Sequence, residues 1–160
     1  MSQLNPNQET AFEKQRGIGQ VEVRSGLAQV HVSRMQDPIH DQRLKVLHAV
    51  AAAGVSVDFL KLTPSGVSFV ISEANCTQVE GALDPLGVRY TIRKDRSVLL
   101  VHAVNMRDEE GLTARVVQQA IASGAIVDHI SDMHDKMLIV SESRFAETLQ
   151  NLFTGAQNGR

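Results

Sequence analysis

Residues 124–142, GAIVDHISDMHDKMLIVSE, can be laid on residues 54–72, GVSVDFLKLTPSGVSFVIS, with a constant shift of 70 positions. Gly54 then meets Gly124, Val57 meets Val127, Asp58 meets Asp128 and Val70 meets Val140. Upstream, Val46 meets Val116, so the comparison runs without a gap for about forty residues. Few positions are identical, yet the order of apolar run, polar turn and apolar run is the same. A pattern that returns at a fixed spacing marks two copies of one supersecondary unit.

Working outward from that stretch, AQVHVSR (28–34) alternates apolar and polar residues and predicts a half-buried strand. Leu44, Leu47, Val50 and Ala51 predict one face of a helix, which Gly54 ends by accepting the left-handed conformation that a side chain resists. VSVDFLKL and GVSFVIS predict two strands joined by the turn TPSG. A helix over roughly 76–86 leads past Pro85 and Gly87 into the strand VRYTIR. The second copy repeats the order with SVLLVHAV, a helix from about 111 to 123, IVDHISDM, KMLIVS and a helix from about 143 to 153. The first copy is βαββαβ; the second stops one strand short.

A layer that lacks one strand leaves an unpaired edge and an incomplete core. GQVEVRS (19–25) precedes the first copy, alternates Val21 and Val23 with Glu22 and Arg24, and has no place within it. The expectation is that this segment crosses over to complete the second copy. The predicted fold is therefore α+β: two interleaved ferredoxin-like βαββαβ units, each with an antiparallel sheet covered by helices. The expected divisions are a polar tail at 1–16, the leading strand at 17–27, a first unit at 28–95, a second unit at 96–153 and a short tail at 154–160.

Composition narrows the function. Sixteen basic against 18 acidic residues give a net charge of −2, which supplies no field to gather nucleic acid or an anionic membrane. No apolar run approaches the roughly 20 residues needed to span a bilayer. The single cysteine, Cys76, cannot form an internal disulfide, and no apolar signal region opens the chain, so the expected location is cytoplasmic. With 4% aromatic residues the core has to be built from Ala, Val, Leu and Ile.

One stretch carries more charge than a turn requires. VNMRDEEGLTARVV (104–117) sets Asp108, Glu109 and Glu110 between a strand and a helix. A free amino acid presents an ammonium and a carboxylate one carbon apart, so its site needs opposite polarities side by side. The unpaired N–H groups near Gly111, Leu112 and Thr113 can hold the carboxylate, worth about 0.3–1 kcal/mol when exposed and up to ~2 when partly buried. Gly111 permits close backbone approach. Asp108, Asp58 or Asp128 can accept from the ammonium. Micromolar affinity needs about 8 kcal/mol, close to the ceiling for so few ligand atoms, so the pocket should be closed by another unit or a second copy. Acidic residues at a helix start also stabilise the helix through its dipole with nothing bound, and the stretch alone does not choose between the two roles.

Taken together, GIGQVEVRSGLAQVHV and VNMRDEEGLTARVVQQAIASGAIVDHIS resemble the paired ACT domains at the C-terminal end of aspartate kinases, over about residues 17–153. The resemblance implies a free-standing regulatory region with no kinase catalytic domain and no cofactor. It further implies an effector of the aspartate pathway, such as lysine or threonine, a homodimer, and a biosynthetic enzyme subunit as a further partner. It carries effector contacts to Asp37, Asp58, Met106, Ile126, Val127 and Asp128. Departures from the family pattern at Pro38-Ile39 and Ile126 support an alternative, a structural dimerisation module with a degenerate pocket; a further departure falls at Leu62 or Lys61.

Other motifs carry less. In DHISDMHDK, Asp128, Asp132 and His134 share one strand parity while His129 faces the other way, so they do not converge on a metal. His31 and His102 lie within strands, Cys76 has no base beside it in sequence, and RKDR (93–96) reads as a solvated connector.

Overall fold

The computed structural model describes residues 17–104, 110–133 and 135–155. Strand β1 runs Gly17–Ser33, α1 Ile39–Ala52, β2 Asp58–Thr63, β3 Gly66–Ser72, α2 Cys76–Leu83 and β4 Arg89–Val104. They are followed by α3 Leu112–Ala122, β5 Val127–Asp132, β6 Lys136–Glu142 and α4 Ala146–Gly155. Short 3-10 turns precede α2 and α4 at Glu73–Asn75 and Ser143–Phe145, again 70 residues apart.

The chain forms two compact units. Ser25–Ser97 makes the first, and residues 17–24, 98–104, 110–133 and 135–155 are the described part of the second. The strand order is β2-β3-β1-β4 in the first and β1-β4-β6-β5 in the second, so β1 and β4 each serve both units. The interleaving expected from the strand count is the observed arrangement. β1 pairs antiparallel with β3 from Leu27 opposite Ser72 to Val32 opposite Val67, and the β2–β3 and β5–β6 pairs are antiparallel hairpins.

Each unit has its own core. In the first, Ala28, Val30 and Val32 of β1 and Val67, Phe69 and Ile71 of β3 pack with Val46 and Val50 of α1 and with Val79 and Leu83 of α2. In the second, Leu99, Val101 and Ala103 of β4, Met137 and Ile139 of β6, Val116 and Ala120 of α3, and Leu149 and Phe153 of α4 take the corresponding places. Val21 of the leading strand joins that second core at 7% exposure, and Gln150 Nε2 donates to its carbonyl at 3.4 Å. Burying a valine contributes about 1.5–3 kcal/mol, so the early segment belongs energetically to the later copy.

The repeat extends to hydrogen bonds. Ala53 N–H donates to Ala49 O and Gly54 N–H to Ala51 O, at 3.1 and 2.9 Å. Ser123 N–H to Gln119 O and Gly124 N–H to Ile121 O, at 3.0 and 3.1 Å, are the same two bonds 70 residues on. Gly54 and Gly124 have φ of 74° and 78°, the conformation expected of a glycine that ends a helix. In the first strands the match shifts by one residue, Ala28, Val30 and Val32 falling on Leu99, Val101 and Ala103.

Three expectations are corrected. The buried residues of α1 are Val46 and Val50, whereas Leu44 is 41% exposed and Ala51 is exposed as well, because the helix presents its 39-43-46-50 stripe to the sheet. RKDR is solvated at Arg93, Lys94 and Asp95 but is not a connector: it lies inside β4, and Arg96 is buried. The segments 19–25 and 28–34 are likewise one strand, which passes Gly26 at φ 73° without a break.

Candidate functional site

The loop between β1 and α1 carries Asp37, which is exposed and joined to Pro38 by a cis peptide bond. Its backbone is held by the hairpin beyond it. Met35 N–H donates to Ser65 O at 2.8 Å, and Gln36 N–H donates to the Gln42 side chain at 3.1 Å. From the second turn of α1, Arg43 Nε donates to Gly66 O at 3.0 Å and Nη2 donates to Thr63 O. Gly66 is required by space, since a Cβ there would sit 1.9 Å from Val32 O. The end of β1, the Asp37 loop, the start of α1 and the β2–β3 turn are thus fastened as one end of the first unit. Asp58 is exposed where β2 begins, beside a bulge that places Asp58 and Lys61 opposite Val70 and Ser68 of β3.

In the second unit, Met106, Asp108 and Glu109 lie outside the described residues. Glu110 is exposed, and Gly111 caps α3 with φ 77°, its carbonyl accepting from Arg115 N–H at 2.9 Å. Among the described residues no side chain caps this helix, and no acidic residue occupies its first turn. Thr113 is exposed on α3, while the Leu112 side chain is buried in the core. Ile126 is 43% exposed, and its carbonyl accepts from Glu142 N–H at 3.2 Å. Val127 and Asp128 follow, half-buried, at a β5 bulge that matches the one in β2. The bulge breaks the simple strand parity read from the sequence at Asp128 and His129. α3 packs against β5, so Gly111–Thr113 and 126–128 belong to adjoining elements, whereas Asp37 and Asp58 belong to the first unit.

Sequence reasoning missed Arg43, Gln42 and Thr63. A signal was present: Ile39, Arg43, Val46 and Val50 fall on one helical stripe, and a cation that interrupts an apolar stripe needs a polar neighbour. The residue 70 positions beyond Arg43 is Thr113, so no arginine stands at the corresponding position of α3.

Among the described residues no group of three or more His, Cys, Asp or Glu side chains could hold a metal ion, and His134 lies outside them. His102 Nε2 lies 3.9 Å from Glu22, and His31 Nδ1 lies 3.2 Å from Ser68 Oγ. Cys76 is buried at the start of α2, and desolvation pushes its thiol pKa up, which suits a packing residue rather than a nucleophile. No helix among the described residues is long and apolar enough to cross a membrane.

No protein-family model matches the sequence, and no curated protein matches it. Solved structures do. The ligand-free regulatory subunit of aspartate kinase from Thermus thermophilus aligns with a TM-score of 0.75 at 18% identity, over 88% of this chain and 98% of that one. The regulatory subunit of aspartate kinase from Thermus flavus gives 0.76 at 17% identity, over 89% and 99%. Escherichia coli aspartokinase III in complex with lysine and aspartate gives 0.70 at 12% identity, over 89% of this chain and 34% of that one. The fold is that of the tandem ACT regulatory region of aspartate kinases.

Proposed function

We propose that the chain is a non-catalytic regulatory protein that binds a free amino acid and passes the occupancy to a partner enzyme subunit. The observation that carries the reading is the likeness of nearly the whole chain to proteins that are themselves regulatory subunits. The strand-to-helix junctions add chemical support: Asp37 stands at one, and the glycine-capped start of α3 offers backbone N–H groups at the other. The effector class that best fits the reading is an aspartate-pathway amino acid such as lysine or threonine. Thermal-shift measurement against each protein amino acid tests it; at 100 times Kd a ligand stabilises the folded chain by about 2.7 kcal/mol, and no shift at millimolar concentration sinks it.

The exposed edge of β2 favours a second reading, a structural dimerisation module. Leu60 and Leu62 are 47% and 58% exposed on the strand that forms one edge of the sheet among the described residues. This reading expects a homodimer whose mass by light scattering does not change when amino acids are added.

A further inference from the structure

The chain passes between its two units twice, within β1 after Arg24 and within β4 after Ser97. Ser25 Oγ and Ser97 Oγ share a hydrogen bond at 2.9 Å, so the two passages lie side by side. In both strands the alternation of core residues changes parity there. Val21 and Val23 of β1 pack in the second core, and Ala28, Val30 and Val32 in the first. Val88, Tyr90 and Ile92 pack on the first core, and Leu99, Val101 and Ala103 in the second.

Each strand also leaves the extended conformation once, within two residues of its passage. Gly26 has φ 73° and Asp95 has φ 57°, the one left-handed residue of β1 and of β4 among the described residues. A Cβ at Gly26 would meet nothing within 4 Å, so the glycine serves its conformation and not a close approach. Aspartate is among the few other residues that take this conformation readily. Ser25, Gly26 and Asp95 are all exposed.

Side chains hold the backbone at this level. Asp95 N–H donates to Glu73 Oε2 at 2.9 Å, and Arg96 Nη1 donates to Lys94 O at 2.9 Å and to Asp95 O at 3.5 Å. A side-chain acceptor can swing away by rotation about its own bonds, whereas a ladder bond opens only with its strand. Glu73 opens the 3-10 turn before α2; the residue 70 positions on is Ser143, so the second copy has no carboxylate at the corresponding place.

We propose that Ser25–Gly26 and Asp95–Ser97 form a hinge at which the two units turn independently, with the Glu73 carboxylate on the Asp95 N–H as its latch. Hinges are built from a few residues that absorb a change in backbone angles, and two adjoining strands that each carry one left-handed residue meet that requirement. Anything that grips both units at once can then bias the hinge by its differential affinity for the hinge's states. The hinge is independent of the amino-acid reading, since it operates whether or not an effector binds.

Pulsed dipolar spectroscopy on the full chain tests it. Cys76, the single cysteine, is replaced by Ala, and spin labels are attached through Lys45→Cys with Gln118→Cys, one in each unit, or through Lys45→Cys with Arg89→Cys, both in the first. All three carriers are exposed, and dilution with unlabelled chain confines the reading to distances within one molecule. The pair that spans the units should give the broader distance distribution, and Glu73→Ala should broaden it further while leaving the pair within the first unit unchanged. Circular dichroism checks that the variant folds; if it does not, Asp95→Gly, which frees the same backbone, takes its place. Equal widths for the two pairs in the chain with Glu73 intact overturn the hinge. A variant that leaves the spanning pair unchanged, or broadens both pairs alike, overturns the latch and with it the proposal.

Discussion

Tyr90 is the only tyrosine in the chain, so its titration can be followed without interference. Its hydroxyl donates to Asp84 Oδ1 at 2.5 Å, and that hydrogen bond, followed by burial and the charges of Asp84 and Glu80, pushes its pKa from 10.0 up to about 12. Above pH 10 the unfolded chain sheds this proton while the folded one keeps it. The stabilisation is therefore complete below pH 10 and is lost as the pH climbs through about 12. Ultraviolet absorbance should show the phenolate forming near the upper value, and Asp84→Asn should move the midpoint back toward 10, since the charged acceptor is the first cause of the shift. Gly66 gives a second expectation at this scale. Gly66→Ala forces a methyl group into the Val32 carbonyl, and neither backbone can give way cheaply. A loss of about 1–3 kcal/mol in urea unfolding is expected, more than the few tenths usual for a surface turn. The need for glycine here was not legible in TPSG, where turn chemistry accounts for it equally well; only the approach of β1 separates the two explanations.

Among the elements, helix α1 shows how a correct assignment can carry a wrong face. Leu44, Leu47, Val50 and Ala51 are the obvious apolar set, but the stripe that meets the sheet runs through Arg43, Val46 and Val50. The misleading feature is Arg43, whose aliphatic stem can lie along the core-facing side while its head group reaches the turn carbonyls. Leu44 is consequently displaced to the surface. The central strands were more legible: GVSFVIS and KMLIVS read as nearly unbroken apolar runs, and β3 and β6 are buried along almost their whole length. Strand β2 lies at the opposite extreme, exposed except at Phe59 and Thr63. Leu60→Lys with Leu62→Glu should change the stability of the isolated chain by no more than about 0.5 kcal/mol, because neither side chain is buried in it. If β2 forms the dimer contact, the same pair of changes should halve the mass found by light scattering. An unchanged mass would remove the β2 edge from consideration as that contact.

For the molecule as a whole, the decisive legible feature was the count of strands. A second copy one strand short and an unattached alternating segment before the first copy are each unremarkable alone; together they require the chain to lend its beginning to its end. The candidate site was far less legible. Its acidic residues announce themselves by type, but their roles depend on the group beside each of them, and Arg43 acquires its role only when the β2–β3 turn folds back to within 3.0 Å of it. The one-residue shift between the two first strands also hid the repeat upstream of α1 and α3, where the corresponding loops differ in length. The interleaving makes a prediction that no single unit could. Val21 stands only a few residues before the first unit, yet it is buried with Leu99, Met137 and Phe153 of the second. Val21→Asp removes an apolar contact and buries an unpaired carboxylate, at a cost on the order of 4 kcal/mol. Hydrogen exchange should place the loss in β6 and α4, more than a hundred residues away, while α1 and β3, which Val21 does not touch, keep more of their protection. Equal loss in both sets would mean that the two cores unfold as one, and that a strand shared between them ties their stabilities together as firmly as it ties their sequences.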